Sequence, residues 1–306
     1  MKLATFRQGV EAAARLGVIW DDQMIDVGLL GDACGLTLPS NMLQMIDAGR
    51  PGLATLQKAL DAMDGLPPVG ISTAVANVTF LAPIPRPRKN IFGIGLNYTE
   101  HVAESAKSLD TSPDLPRQPV VFSKPPTAVI ADNESIQHNG SMTQQLDWEV
   151  ELAAIIGVRA HRVSRADALS HVFGYSVMVD VSARDNRRAG QWIFSKGMDS
   201  YAPFGPVIVT ADEIPDPQTL DLWLTVNGIE KQRSNTAYML FKVDELIADL
   251  STGITLEPGD IIATGTPAGV GAGRDPQEWL WPGDVVQATV DGIGTLTNHV
   301  INTTPD

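Results

Sequence analysis

The order of apolar runs and turn residues in this chain predicts a strand-rich α+β protein. Short runs rich in Val and Ile, bounded by Gly, Asp and Pro, outnumber segments with helical periodicity. They do not alternate with helices as β-α-β units would, which excludes a doubly wound Rossmann sheet. Composition agrees. Of 306 residues, 43% are hydrophobic and 19% charged. That profile suits a globular chain with a sizeable core and excludes disordered, coiled-coil and collagen-like chains.

From the N-terminus, residues 2–7, 16–20 and 23–27 read as strands, with Asp21-Asp22 as a hairpin turn. Residues 40–48 carry helical periodicity with Ser40 as the N-cap, and residues 52–63 repeat it. Gly65-Leu66-Pro67-Pro68 ends the pattern. Residues 1–70 therefore read as a small, separate N-terminal α+β domain. Next, Pro83, Pro85 and Pro87 alternate with Arg86, Arg88 and Lys89. Alternating prolines sustain neither a ladder nor a helix, so residues 71–90 read as a proline-rich linker. The second domain, residues 91–306, has its clearest strands at 91–95, 120–123, 149–156, 174–180, 206–210, 222–226, 260–264 and 285–290. Helical signals are confined to 98–106, 164–168, the start of 184–190, and 243–251.

Lys plus Arg number 22 against 36 Asp plus Glu, a net charge of −14. Such a chain repels phosphate backbones, which argues against nucleic-acid binding but leaves room for a local basic pocket. Cys34 is the one cysteine, so neither an intramolecular disulfide nor a cysteine zinc cluster can form. Residues 1–17 hold no apolar signal core, and no run of 18 apolar residues exists. The expectation is a cytoplasmic protein without membrane contact.

Five segments carry chemistry. In Asp147-Trp148-Glu149-Val150-Glu151-Leu152, strand alternation puts Asp147, Glu149 and Glu151 on one face. Clustered carboxylates suit a hard divalent cation, although a solvated edge strand shows the same spacing. Asp180 ends an apolar run, as a further ligand or as a helix N-cap. His101 and Glu104, three apart on a helical pattern, can touch, and a carboxylate beside a histidine makes a general base. Exposed helices carry such pairs as well. Lys196, between an apolar stretch and Gly197, can hold a carboxylate or an enolate oxygen, or can snorkel at the surface. The glycine-rich run from Gly265 to Gly273 lets backbone N–H groups approach a ligand. It is neither a P-loop nor a dinucleotide fingerprint. Residues 105–118, with Pro113 and Pro116, read as a lid that orders on binding.

Together these segments resemble the fumarylacetoacetate hydrolase family. The likeness runs from about Asn90 to Thr297 through Gly95-Leu96-Asn97-Tyr98-x-x-His101-x-x-Glu104, Phe122-Ser123-Lys124-Pro125, Asp147-x-Glu149-x-Glu151 and Asp180-Val181-Ser182-Ala183-Arg184-Asp185. Lys196-Gly197-x-Asp199 and Gly265-Thr266-Pro267-x-Gly269-Val270-Gly271 complete it. The resemblance implies a mixed β-roll or β-sandwich-like catalytic domain, a small N-terminal domain and a homodimer. It implies Mg²⁺ or Mn²⁺ on Glu149, Glu151 and Asp180, with Asp147 as a possible addition to the metal shell. His101, held by Glu104, is the implied base, and Lys196 shares in catalysis. Arg184, which also supports the metal shell, joins Lys196, Thr266 and Arg187 around a small keto acid substrate.

The implied reaction is hydrolysis of a C–C bond in a 2,4-diketo acid such as an acylpyruvate, releasing pyruvate or a substituted pyruvate. Oxaloacetate decarboxylation and 2-hydroxydienoate isomerisation are the alternatives on the same site. A sensor without turnover would not need both the carboxylates and the His–Glu pair. Two positions depart from the family pattern: Val179 stands where Asn is common, and Arg187 where Gln is common. Arg187 suits a substrate with an extra carboxylate if it faces the pocket, and has no such meaning if it faces solvent.

Overall fold

Pairing between strands distant in sequence sets the architecture. The computed structural model describes residues 1–9, 11–63, 70–108 and 114–303. The main path of the larger sheet runs Ser72–Ala74, Gln23–Asp26, Arg15–Trp20, Lys2–Arg7, Ala202–Thr210, Val172–Val179, Val150–Ile156, Ile261–Ala263, Ile91–Gly95 and Val120–Lys124. A second sheet runs Ile229–Asn235, Asp221–Val226, Val285–Val290, Gly294–Asn302 and Ser135–His138. Most neighbours are antiparallel; Ile261–Ala263 beside Ile91–Gly95 is a parallel exception. The strand-rich α+β expectation holds.

The strand Val150–Ile156 lies inside the larger sheet and is buried on both faces. Val150, Leu152, Ala154 and Ile156 pack in one core with Leu222, Leu224, Ala288 and Leu296 of the second sheet. Ala153 and Ile155 pack in the other core with Leu3, Met45, Ile46 and Ala263. A strand covered on both sides needs no polar alternation. The carboxylates at its start are therefore an exception that calls for a cause.

The N-terminal residues do not stand apart as expected. Lys2–Arg7 pairs with Ala202–Thr210, with Lys2 opposite Val209 and Leu3 opposite Ile208, so the first strands extend the same sheet. The proline-rich segment is likewise more than a linker. It contains the strands Ser72–Ala74 and Thr79–Leu81, and Ile84 is buried. Its basic residues are tied down: Arg88 bonds Asp47 at 2.6 Å and Lys89 bonds Asp260 at 2.6 Å. Pairing across about two hundred residues leaves no local signature, which is why the sequence reading set residues 1–70 apart.

Smaller differences have local causes. The strand read as 23–27 stops at Asp26, whose carboxylate accepts from Leu29 N–H and caps a helix, Val27–Cys34, that the sequence reading missed. Gly28 and Gly31 weaken its helical signal. Asn41 rather than Ser40 caps the next helix. The two helical segments read at 40–48 and 52–63 form one helix, Met42–Asp61, broken locally at Gly49 with φ 54°. The turn at 65–68 lies outside the described residues. Among the described residues no helix is long and apolar enough to cross a membrane.

Leu3 is fully buried in the core that also holds Ile155 and Phe204. Leu3→Ala should cost about 2–5 kcal/mol. Denaturant unfolding, followed by tryptophan fluorescence and far-UV circular dichroism, should shift as one transition. Two separated transitions, with only the first displaced, would restore an independent N-terminal domain.

Candidate active site

Antiparallel pairing assembles the acidic cluster. Glu151 lies on the strand Val150–Ile156 and Glu149 directly precedes it. The neighbouring strand Val172–Val179 runs back alongside, with Val179 opposite Val150, and Asp180 N–H donates to the Glu149 carbonyl at 2.9 Å. Glu149, Glu151 and Asp180 are all buried, and each offers a carboxylate oxygen within 4.8 Å of the others.

Cationic side chains cover part of this charge. Lys196 Nζ donates to Glu149 Oε2 and Asp180 Oδ2, both at 2.7 Å. Arg184 Nη2 donates to Glu149 Oε1 at 2.5 Å. Lys124, completely buried, bonds Asp180 and the Lys196 carbonyl. Burial works against ionisation of Glu149, but Lys196, Arg184 and His101 outweigh it and hold its pKa well below the usual carboxylate range. Glu151 has the opposite fate. Burial, then Asp180 and Glu149, push its pKa well above the usual range. Gly265 N–H donates to it at 2.9 Å, yet among the described residues no cationic side chain forms an ion pair with it. A buried, crowded carboxylate short of positive charge fits a divalent cation held by Glu149, Glu151 and Asp180.

Asp147 does not join this group. Its carboxylate accepts from the N–H groups of Trp148, Gly271 and Ala272 and from Arg184 Nε. Those four donors saturate it, which corrects its reading as an additional metal-shell residue. It acts instead as an anchor, joining the glycine-rich loop to Arg184.

The loop holds a second carboxylate in the same manner. Gly269 N–H donates to Glu104 Oε1 at 3.0 Å. Glu104 Oε2 in turn accepts from His101 Nδ1 at 3.2 Å, so the pair read from i, i+3 spacing forms. His101 Nε2 lies 3.4 Å from the Ser105 hydroxyl. The loop and the His101 helix meet because each follows one of two adjacent parallel strands, Ile261–Ala263 and Ile91–Gly95. Asn97 locks the junction, donating to the carbonyls of Thr264 at 2.7 Å and Phe241 at 3.0 Å. The loop's N–H groups were expected to meet a ligand. Those of Gly265, Gly269, Gly271 and Ala272 serve the protein's own carboxylates.

A cavity opens over the cluster, lined in part by His101, Ser105, Glu149, Arg184, Arg187, Trp192, Lys196 and Thr266. Thr266 is on its wall, with its hydroxyl donating to the Val150 carbonyl at 2.9 Å and accepting from Gln232 at 2.8 Å. Arg187 faces the cavity rather than open solvent alone. Of the segment read as a lid, residues 109–113 lie outside the described residues, and 105–108 continue the helix Thr99–Ser108. Sequence reasoning missed the charge-neutralising role of Lys124, although a lysine closing an apolar strand ahead of Pro125 was a signal. It also missed Ser105 and Gln232, which nothing local distinguishes.

A buried carboxylate triad beside a held histidine, on a strand-rich frame, defines a metal-dependent enzyme. The chain belongs to the fumarylacetoacetate hydrolase family: residues 90–301 match the model described as fumarylacetoacetate (FAA) hydrolase C-terminal. It is similar to oxaloacetate tautomerase YisK of Bacillus subtilis (strain 168), 42% identical over 228 residues, covering 74% of this chain and 74% of the relative. A mitochondrial oxaloacetate tautomerase of Bos taurus is 40% identical over 268 residues, covering 87% of this chain and 81% of the relative. Among solved structures, maleylpyruvate hydrolase from Sphingobium sp. SYK-6, in complex with manganese (II) ion and pyruvate, superposes with a TM-score of 0.78. It is 31% identical, with 99% of this chain and 100% of that chain covered.

Two outcomes follow. The raised pKa of Glu151 means that a cation displaces a proton from the cluster, so affinity for Mn²⁺ should climb as pH rises through that pKa. Calorimetry in two buffers of different ionisation enthalpy should show proton release, and none would contradict the ligand set. Separately, a Cβ at Gly273 would lie 2.1 Å from the Glu104 carboxyl carbon. Gly273→Ala should displace Glu104 from His101 and lower turnover about 10- to 100-fold. Unchanged kcat would show that the pair's geometry is not needed.

Proposed function

We propose that this enzyme interconverts the enol and keto forms of a small 2-oxo acid, with oxaloacetate as the leading substrate. The tautomerases at 42% and 40% identity support that reading most directly. The site also contains what proton transfer requires. Glu104 fixes the His101 ring at Nδ1, which leaves Nε2 as the basic atom in the cavity. In the enol-to-keto direction the hydroxyl on C2 loses a proton and C3 gains one, so atoms and charge balance. His101 is the group proposed to exchange the proton at C3.

Glu149, Glu151 and Asp180 would hold Mg²⁺ or Mn²⁺, which when bound polarises the 2-oxo group and offsets charge developing on its oxygen. The Lys196 ammonium lies in the same wall, held by Glu149 and Asp180, and adds positive charge near that oxygen. Thr266 shapes the wall with its hydroxyl already engaged. The working form proposed is a homodimer, which light scattering would check.

One observation favours a second reading. A histidine oriented by a carboxylate also activates water, and the maleylpyruvate hydrolase likeness supports C–C hydrolysis of a 2,4-diketo acid. The two differ in the fate of solvent oxygen. Mn²⁺-loaded enzyme should be given enol-oxaloacetate and a panel of acylpyruvates in ¹⁸O-water. The tautomerase reading expects fast loss of the enol with no cleavage. Labelled carboxylic acid with pyruvate would establish hydrolysis instead, and pyruvate with CO₂ would establish decarboxylation. His101→Ala should lower turnover by about 10² or more while Mn²⁺ binding persists. Unchanged turnover would remove His101 from the mechanism.

A further inference from the structure

Arg187 differs from the other cations around the cavity. Arg184 is engaged by Asp147 and Glu149, and Lys196 by Glu149 and Asp180. Arg187 lines the same cavity, yet among the described residues its guanidinium makes no ion pair and no side-chain hydrogen bond. It is half-buried and lies over the Trp192 ring, 4.9 Å from the centroid. The platform is itself held. Trp192 packs against Phe122 with centroids 5.4 Å apart, and presses so closely on Gly95 that a Cβ there would lie 2.8 Å from the indole. Stacking on an aromatic face leaves the N–H fork at the guanidinium edge available for a planar anion.

We infer that Arg187 forms a subsite for the second carboxylate of a dicarboxylic 2-oxo acid, the end of the substrate remote from the carboxylate triad. The inference extends the oxaloacetate reading of the same site and makes it specific to dicarboxylates. A partly desolvated guanidinium that makes no ion pair gains most when an anion arrives. Burial, followed by the neighbouring Arg184, lowers its pKa against a smaller opposing pull from Glu149, so a carboxylate there also relieves repulsion between the two arginines. A carboxylate bound by the fork in bidentate fashion fixes which end of the substrate meets His101. Monocarboxylic 2-oxo acids leave the arginine unpaired and are rejected by that difference.

The test uses stable 2-hydroxy ligands, so that it does not depend on turnover. L-malate and L-lactate differ chiefly by one carboxylate, and oxalate reports the triad end alone. Calorimetric titration of the Mn²⁺-loaded enzyme should show malate binding about 10- to 100-fold tighter than lactate, the scale of a hydrogen bond to a charged group. In Arg187→Gln that ratio should fall to about one, with lactate and oxalate affinities unchanged. Trp192→Leu, which removes the platform, should lower the ratio in the same direction. Equal ratios in wild type and Arg187→Gln would overturn the inference, as would a wild type that does not favour malate. Loss of oxalate affinity in Arg187→Gln would also overturn it, because the residue would then serve the whole site. A wild type with Arg187-dependent preference for malate but no tautomerase activity would leave the subsite standing and remove only the reaction.

Discussion

Burying several carboxylates in one small region is the constraint that organises this molecule. Asp147, Glu149, Glu151 and Asp180 are each at most 4% exposed. Uncompensated, such charges would be too costly to bury. The structure meets the problem in three ways. Backbone N–H groups of the glycine-rich loop take up Asp147 and one oxygen of Glu151. Arg184, Lys196 and Lys124 take up Asp147, Glu149 and Asp180. Glu151 is left short of positive charge, and that shortfall is what a divalent cation answers. Two of the loop's glycines sit against these carboxylates or their partners. A Cβ at Gly273 would lie 2.1 Å from the Glu104 carboxyl carbon, and one at Gly271 would lie 2.0 Å from the Glu278 carbonyl oxygen and 2.7 Å from an Asp147 oxygen.

The same constraint explains which parts of the site could be read from the sequence. Alternation on one strand is a local rule, so Glu149 and Glu151 were visible as neighbours, and Asp180 was visible as a carboxylate closing an apolar run. The His101–Glu104 pair obeys helical spacing and was equally legible. Asp147 obeyed the strand rule too, but the rule could not reveal its partners. The chain breaks from regular pairing around Trp148, and the donors to Asp147 come from residues 271 and 272 as well as Arg184. Lys124 was hidden for the same reason: its partners Asp180 and Lys196 arrive from other strands and turns. The resemblance to a family supplied order and spacing, so it could group residues far apart in the chain, but it could not supply their hydrogen bonds.

At the scale of the fold the limit is also sequence separation. Individual strands were legible because β-rich runs and turn residues are local. The joining of Lys2–Arg7 to Ala202–Thr210 was not, since no pattern in residues 1–70 announces a partner so far away. Prolines in the connecting segment suggested a free linker. In the structure Pro83 offers its carbonyl to Thr5, while Arg88 and Lys89 pin the segment to Asp47 and Asp260. Proline removes ladder hydrogen bonds but does not prevent anchoring through carbonyls and flanking side chains.

On the proposed reading, an enzyme with a net charge of −14 that takes a small dianion faces long-range repulsion. Exposed lysines elsewhere would help little, because salt screens charges beyond about 10 Å. Attraction has to be local, where lower effective dielectric makes each charge count for more. The cavity has that character only in part, since Arg184 and Lys196 are already matched by protein carboxylates. On the same reading the remaining attraction would fall to a cation on the triad and to Arg187. Two centres of positive charge in one cavity, whose wall also includes Trp192, Ile94 and Thr266, would favour a ligand with charge at both of its own ends. On the proposed reading that polarity, together with the held ring of His101, is what turns a general 2-oxo acid site into one for a dicarboxylate.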